Sequence, residues 1–99
     1  MYILTKRRVK DFWLQHPDAE TSLRHWYTLT NRLEWKNLVE LRETFPSADQ
    51  VGRLTVFNIG GNKYRLIARV EYIFKRVYIR NVLTHSEYDK GNWKNDPWF

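Results

Sequence analysis

Apolar residues recur at helical spacing through the first half of the chain and on alternate positions through much of the second. Between Thr5 and Gln15, Val9, Phe12 and Trp13 fall at i, i+3 and i+4, with Lys6, Arg7, Lys10 and Asp11 elsewhere, which predicts a short amphipathic helix. Pro17 suits the first turn of a second helix, where its missing N–H has no partner to lose. Asp18 and Glu20 there complement the positive end of the helix dipole. Leu23, Trp26, Tyr27, Thr30 and Leu33 continue one stripe and form the strongest helical signal present. Leu38, Leu41, Arg42 and Phe45 support a further turn or two before Pro46-Ser47-Ala48-Asp49, which reads as a loop.

From Leu54 the period changes. Leu54–Ile59 is a β-branched and aromatic run, and Gly60-Gly61-Asn62 after it has hairpin chemistry. Lys63–Phe74 alternates, with Tyr64, Leu66, Ala68, Val70 and Tyr72 on one side and Lys63, Arg65, Ile67, Arg69 and Glu71 on the other. This predicts a strand with one core face and one basic face. Lys75-Arg76 is expected to turn into a further strand, Val77–Leu83. Beyond Thr84 the chain is polar, with Trp93, Trp98 and Phe99 scattered through it. Met1–Leu4 is a candidate edge strand. Helices followed by a meander predict an α+β fold, with N-terminal helices packed on a small twisted antiparallel sheet.

At 99 residues the chain is expected to form a single domain over residues 1–99. With 42% hydrophobic and 16% aromatic residues it has the means to bury a core. No run approaches the roughly 18 apolar residues of a membrane helix, and the N-terminus lacks a signal peptide's apolar stretch, so a cytoplasmic protein with no membrane partner is expected. The absence of cysteine removes disulfides, thiolate nucleophiles and Cys-based metal sites. His16 and His25 stand apart from any carboxylate pair at metal spacing, so neither a metal nor a cofactor is implied.

The net charge of +6 is unevenly placed. Residues 1–52 carry eight Lys/Arg against seven Asp/Glu, and residues 53–99 carry nine against four. Arg53, Lys63, Arg65, Arg69, Lys75, Arg76 and Arg80 are opposed before residue 81 only by Glu71, a balance suited either to a polyanion such as a phosphate backbone or to an ordinary solvated basic face.

Two linked phrases sharpen this. Val56-Phe57-Asn58-Ile59-Gly60-Gly61-Asn62-Lys63-Tyr64-Arg65-Leu66, and then Val77-Tyr78-Ile79-Arg80 with Thr84-His85-Ser86-Glu87-Tyr88-Asp89-Lys90, resemble the HigB family of bacterial toxins. The Phe45–Asp49 segment resembles the stretch preceding the strands in that family. The resemblance implies a RelE-like fold and an mRNA interferase: an endoribonuclease cutting messenger RNA during translation on the ribosome. It further implies neutralisation by a HigA-type helix-turn-helix antitoxin in a toxin–antitoxin hetero-oligomer. The rival reading is a non-catalytic basic RNA-binding module or an inactive toxin remnant.

Metal-free RNA cleavage needs a base for the ribose 2′-hydroxyl, cations for the phosphorus oxygens and an acid for the leaving 5′-oxygen. His85 is the side chain of the motif region suited to proton transfer at neutral pH, its competing role being a capping or core histidine. Arg65 and Arg80 offer planar donors to a phosphate, against ordinary surface charge or an internal salt bridge. A single helical turn would bring Tyr88 and Asp89 beside His85, Asp89 to orient the imidazole and Tyr88 to donate a proton or stack on a base; packing and turn-capping are their alternatives. These five form the candidate catalytic set. Asn62, Lys63, Arg69, Lys75, Arg76, Lys90, Lys94 and Trp93 form the candidate RNA-binding set, with Asn62 a candidate for positive φ at the hairpin and Trp93 equally a residue that docks on its own domain.

Overall fold

The computed structural model describes residues 1–99. Strand β1 (Tyr2–Leu4) is followed by helices α1 (Arg7–Gln15), α2 (Glu20–Arg32) and α3 (Leu38–Thr44), then by strands β2 (Asp49–Val51), β3 (Leu54–Ile59), β4 (Tyr64–Glu71) and β5 (Arg76–Thr84), and last by helix α4 (His85–Lys90). The strands form one sheet in the order β1-β5-β4-β3-β2. The fold is α+β, as the change of period predicts, with Pro17–Ala19 forming a 3-10 turn that leads into α2. No helix is long and apolar enough to cross a membrane.

The sheet is mixed where an antiparallel one is expected. β2 to β5 are antiparallel neighbours, but β1 runs parallel to β5, pairing Ile3 with Val77. A parallel pair needs a long intervening connection, and here most of the chain supplies it. Strand ends also shift: Tyr72–Lys75 forms the turn, and Arg76 already belongs to β5.

Helices α1 and α2 cover one face of the sheet. Their stripe residues Val9, Leu23 and Trp26 are buried with Phe57, Leu66, Ala68, Val77 and Ile79. Edge-to-face rings knit this core: Trp26 to Phe57 at 5.4 Å, Phe45 to Phe57 at 5.4 Å and Trp35 to Phe45 at 5.9 Å.

The second face is not the open basic surface that the alternation in β4 predicts. Leu54, Val56 and Ile67 are buried on it beneath Trp93, with Leu83, Tyr88, Trp98 and Phe99 packed around them. The residues after Thr84 fold back as α4, a 3-10 turn Asn92–Asn95 and a terminal segment, and Phe99 closes the layer by accepting the Arg53 backbone N–H at 2.7 Å. Ile67, an apolar residue among charged ones in the supposed basic row, is the position this cover requires. The sheet therefore has two buried sides, the second one small.

Trp93 is the largest buried member of that second layer. Trp93→Ala is expected to cost about 3–5 kcal/mol, the usual range for deleting a buried large aromatic. Urea denaturation of the variant checks this; a loss under about 1 kcal/mol would show the tail to be an incidental cover.

Candidate functional site

The site is organised by one irregularity in the ladder. Pairing between β4 and β5 runs Tyr64–Thr84 to Ile67–Asn81 and resumes at Ala68–Ile79, so Arg80 has no opposite residue and forms a β-bulge. The extra residue frees backbone groups and redirects side chains. The Arg80 carbonyl accepts from Arg8 Nη1 at 2.6 Å, tying α1 to the strand. Its guanidinium grips Asp96 in a fork, Nε to Oδ2 at 2.8 Å and Nη2 to Oδ1 at 3.0 Å, and lies 4.0 Å from the Trp98 ring centre. This grip, first, and the Trp98 backbone N–H hold the Asp96 carboxyl below the usual carboxylate range against the opposing effect of its burial. Arg80 thus anchors the tail through an internal salt bridge, its competing reading, with Asp96 as the partner.

Helix α4 begins where β5 ends. Thr84 caps it, accepting from Glu87 N at 3.2 Å while the Glu87 carboxylate accepts from Thr84 N at 2.9 Å, a reciprocal capping box. His85 takes the first helical position, and its backbone N–H donates to the Lys63 carbonyl at 3.1 Å, which pins it beside the β3–β4 turn. One turn on, Asp89 Oδ2 lies 2.9 Å from His85 Nδ1, with both side chains half or more exposed. A carboxylate can only accept, so the neutral imidazole in this pair carries its proton on Nδ1 and presents a free Nε2 lone pair.

Tyr88 is held as a plate. Its ring stacks on Trp93 at 5.3 Å and 12°, and Arg65 lies 5.3 Å from its centre. Arg65 is buried and bonded to the carbonyls of Asn62 and Tyr64 and to Asn62 Oδ1, all oxygens of neutral groups, so its charge meets no carboxylate. It acts on the site as a buried positive charge and not as an open clamp. Asn62 holds Arg65 and has no need of positive φ, which falls on Gly60 and Gly61.

The remaining predicted positions divide between the two ends of the sheet. Lys63 lies near His85 but pairs with Asp18 at 3.5 Å; Asp18, in turn, accepts from the Tyr64 hydroxyl at 2.6 Å, and that bond, more than Lys63, holds its carboxyl low. Lys90 lines a cleft beside α4, and Lys94 stands 5.6 Å from Trp93, which forms part of the cleft wall and is only 5% exposed. Arg69 pairs with Glu71 under Trp98. Lys75 and Arg76 pair with Glu34 and Glu71 at the far end. Since β4 has eight residues, that end is roughly 25 Å from His85. The structure does not bring Lys75 and Arg76 to the site.

The cleft itself has a volume of about 450 Å³ and is bounded by α1, the bulge, α4 and the tail. Besides Arg80, Lys90 and Trp93 it is lined by Arg8, Asn81, Leu83, Glu87, Asn92 and Asp96. Sequence reasoning missed Arg8, Asn81, Glu87, Asn92 and Asp96. Glu87 had a local signal, being three residues past Thr84 in a capping-box pattern; Arg8 and Asp96 reach the cleft only through the tertiary fold.

Residues 19–91 match the HigB_toxin family model, described as the RelE-like toxic component of a toxin-antitoxin system. The chain belongs to this HigB toxin family. It is 35% identical over 92 residues to the mRNA interferase toxin HigB of Escherichia coli (strain K12), covering 90% of this chain and 88% of that protein. The mRNA interferase HigB of Shigella flexneri matches to the same extent, and that of Escherichia coli O6:H1 (strain CFT073) is 27% identical over 93 residues, covering 91% of this chain and 90% of its own. The segment matching the HigB family model spans α2 to the end of α4, so Arg8 and Asp96, which hold the bulge from either side, lie outside it.

Asp96 is expected to carry an acid-sensitive part of the stability. Its folded-state carboxyl titrates below the unfolded one, so the contribution of the Arg80 pair is whole above about pH 4 and is lost as the pH falls through the lowered folded value. Asp96→Asn should cost about 1–2 kcal/mol at pH 7 and much less at pH 2. Urea midpoints of both proteins at the two pH values check the sign; an equal gap at both would remove the ion pair as the cause.

Proposed function

We propose that this toxin is an mRNA interferase, an endoribonuclease that cleaves messenger RNA, acting during translation on the ribosome. A HigA-type helix-turn-helix antitoxin neutralises it in the cytoplasm, and residues 1–99 act as one domain. The observation that carries the reading is the His85–Asp89 pair at 2.9 Å at the start of α4, with a free Nε2; neither residue lines the neighbouring cleft, whose α4 residues are Glu87 and Lys90.

In this reading His85 Nε2 takes the proton of a ribose 2′-hydroxyl, and Asp89 stabilises the imidazolium that results. The 2′-oxygen attacks phosphorus, the bond to the 5′-oxygen breaks, and a 2′,3′-cyclic phosphate remains. Tyr88, one helical turn from His85, supplies the proton to the leaving oxygen. Charge on the phosphoryl oxygens is met by the field of buried Arg65 beside Tyr88, while Lys90 and Arg8 in the cleft attract the flanking backbone. Arg80 contributes by holding the cleft wall. Asn62, Lys63, Arg69, Lys94 and Trp93 border the RNA path and do no chemistry.

The non-catalytic binding reading draws on one observation, that Arg65 and Arg80 are both bonded within the protein. The two readings separate on His85→Ala. Loss of the proton carrier should reduce cleavage by about 10²- to 10⁴-fold while RNA affinity stays within a few fold. The measurement is growth arrest with transcriptome-wide mapping of RNA 5′ ends after induction, at matched soluble protein. Arrest without new ends in the wild type would leave only binding; new ends persisting in the variant would move the proton transfer to other residues.

A further inference from the structure

Asp18 takes no part in the cleft, yet two adjacent residues at the corner that holds His85 are both bonded to it. It belongs to the 3-10 turn leading into α2 and stands one position before the segment that matches the family model. The Tyr64 hydroxyl donates to Asp18 Oδ1 at 2.6 Å, and Lys63 Nζ lies 3.5 Å from Oδ2. The first is a short bond to an ionised acceptor, the stronger kind of hydrogen bond.

Tyr64 is the residue where the sheet meets the site. It opens β4, pairing with Ile59 across the β3–β4 hairpin and with Thr84 across the β4–β5 ladder. Thr84 caps α4, and the carbonyl of Lys63, joined to Tyr64 by one peptide bond, accepts the His85 backbone N–H at 3.1 Å. The place of His85 therefore depends on where the Lys63–Tyr64 peptide stands. The ladder holds that peptide from one side only, because Tyr64–Thr84 is its last pair and Gly61, Asn62 and Lys63 before it are exposed turn residues. Such ends open at little cost. On the helix side the Tyr64 ring meets Phe12 edge-on at 5.2 Å and His16 at 5.6 Å. Apolar contact of this kind has no fixed direction, whereas the hydroxyl bond sets the distance between the strand end and the start of α2.

We propose that Asp18 is a positioning residue for RNA cleavage: by tying Tyr64 and Lys63 to the turn before α2 it fixes the Lys63 carbonyl, and through that carbonyl His85. The proposal rests on the reading of His85 as the proton carrier. Asp18 touches neither the RNA nor the reacting atoms; it acts on the rate by narrowing the positions from which Nε2 reaches a 2′-hydroxyl.

The test uses the full chain in three single variants and one double. Asp18→Ala removes both bonds, Tyr64→Phe removes the hydroxyl and keeps the buried ring, and Asp18→Asn keeps an oxygen acceptor for Tyr64 without the charge. Each purified protein is added to a reconstituted translation reaction with one messenger RNA, and the appearance of new 5′ ends is followed over a range of ribosome concentrations. Amide hydrogen exchange of His85 is measured on the same proteins by NMR. Asp18→Ala and Tyr64→Phe are expected to lower the saturated rate about 10- to 100-fold, with the half-saturating ribosome concentration within about two-fold of wild type. The double variant should be no slower than the slower single one, since both remove one link, and Asp18→Asn should recover to within about three-fold of wild type. The His85 amide should exchange about ten-fold faster in the first two variants, while the buried positions Leu66 and Ile79 keep their protection.

A saturated rate within about two-fold of wild type in both Asp18→Ala and Tyr64→Phe overturns the proposal, and so does a lowered rate with His85 exchange unchanged. Exchange that rises equally at Leu66 and Ile79 overturns it as well, since the bond would then support the whole fold. If the wild type yields no new ends, the nuclease reading fails by itself, and the exchange comparison still decides whether Asp18 holds His85.

Discussion

The bulge at Arg80 is the constraint from which the rest of the site follows. One extra residue in β5 changes which side chains face which layer: Val77 and Ile79 enter the helix-side core before it, whereas after it Val82 does so and Leu83 joins the tail-side cluster. Without the insertion the strand would keep one parity throughout, and its far end would offer Leu83 to the helices instead of to Trp93. The guanidinium of the same residue donates to Asp96, and its carbonyl accepts from Arg8. A local break in the ladder thus joins three elements far apart in sequence.

The tail is held by more than apolar burial. Arg80 fixes Asp96, Asp96 accepts the Trp98 backbone N–H at 2.8 Å, and Trp93 Nε1 donates to the Tyr88 carbonyl at 3.1 Å. These bonds orient the short helix α4, which at six residues is too brief to persist unaided. Its start is set independently by the Thr84 capping box and the His85-to-Lys63 backbone bond. His85 and Asp89 therefore project from a turn braced at both ends.

The fold class, the helical stripe from Leu23 to Trp26 and the hairpin at Gly60-Gly61 were legible because each rests on local periodicity or local backbone need. The His85–Asp89 contact was legible too, being an i, i+4 relation within one turn. Three features were not. The parallel pairing of β1 depends on three residues meeting a strand more than seventy positions away. The bulge depends on register, which the alternation of β5 alone does not reveal. The burial of Arg65 depends on the tail, whose scattered aromatics show no period; only Ile67 in a row of charges hinted that this face is covered.

Charge counted along the sequence proved a weaker guide than charge counted in space. The basic second half spends much of its excess inside the protein: Arg69 and Arg76 share Glu71, Lys75 meets Glu34 and Arg80 meets Asp96. Of the cations around the cleft, Arg8 donates to a carbonyl and Lys90 has no carboxylate partner, so these two keep their charge available to an anion. Arg65 adds a third charge from beneath, desolvated and without a counter-ion, where the lower effective dielectric lengthens its reach. A phosphate entering the cleft therefore meets the charges of Arg8 and Lys90 and of Arg65 beneath, set against the Glu87 carboxylate of the same lining. The arginine that looks most like a phosphate clamp in sequence, Arg80, is the one whose fork is already filled by a carboxylate.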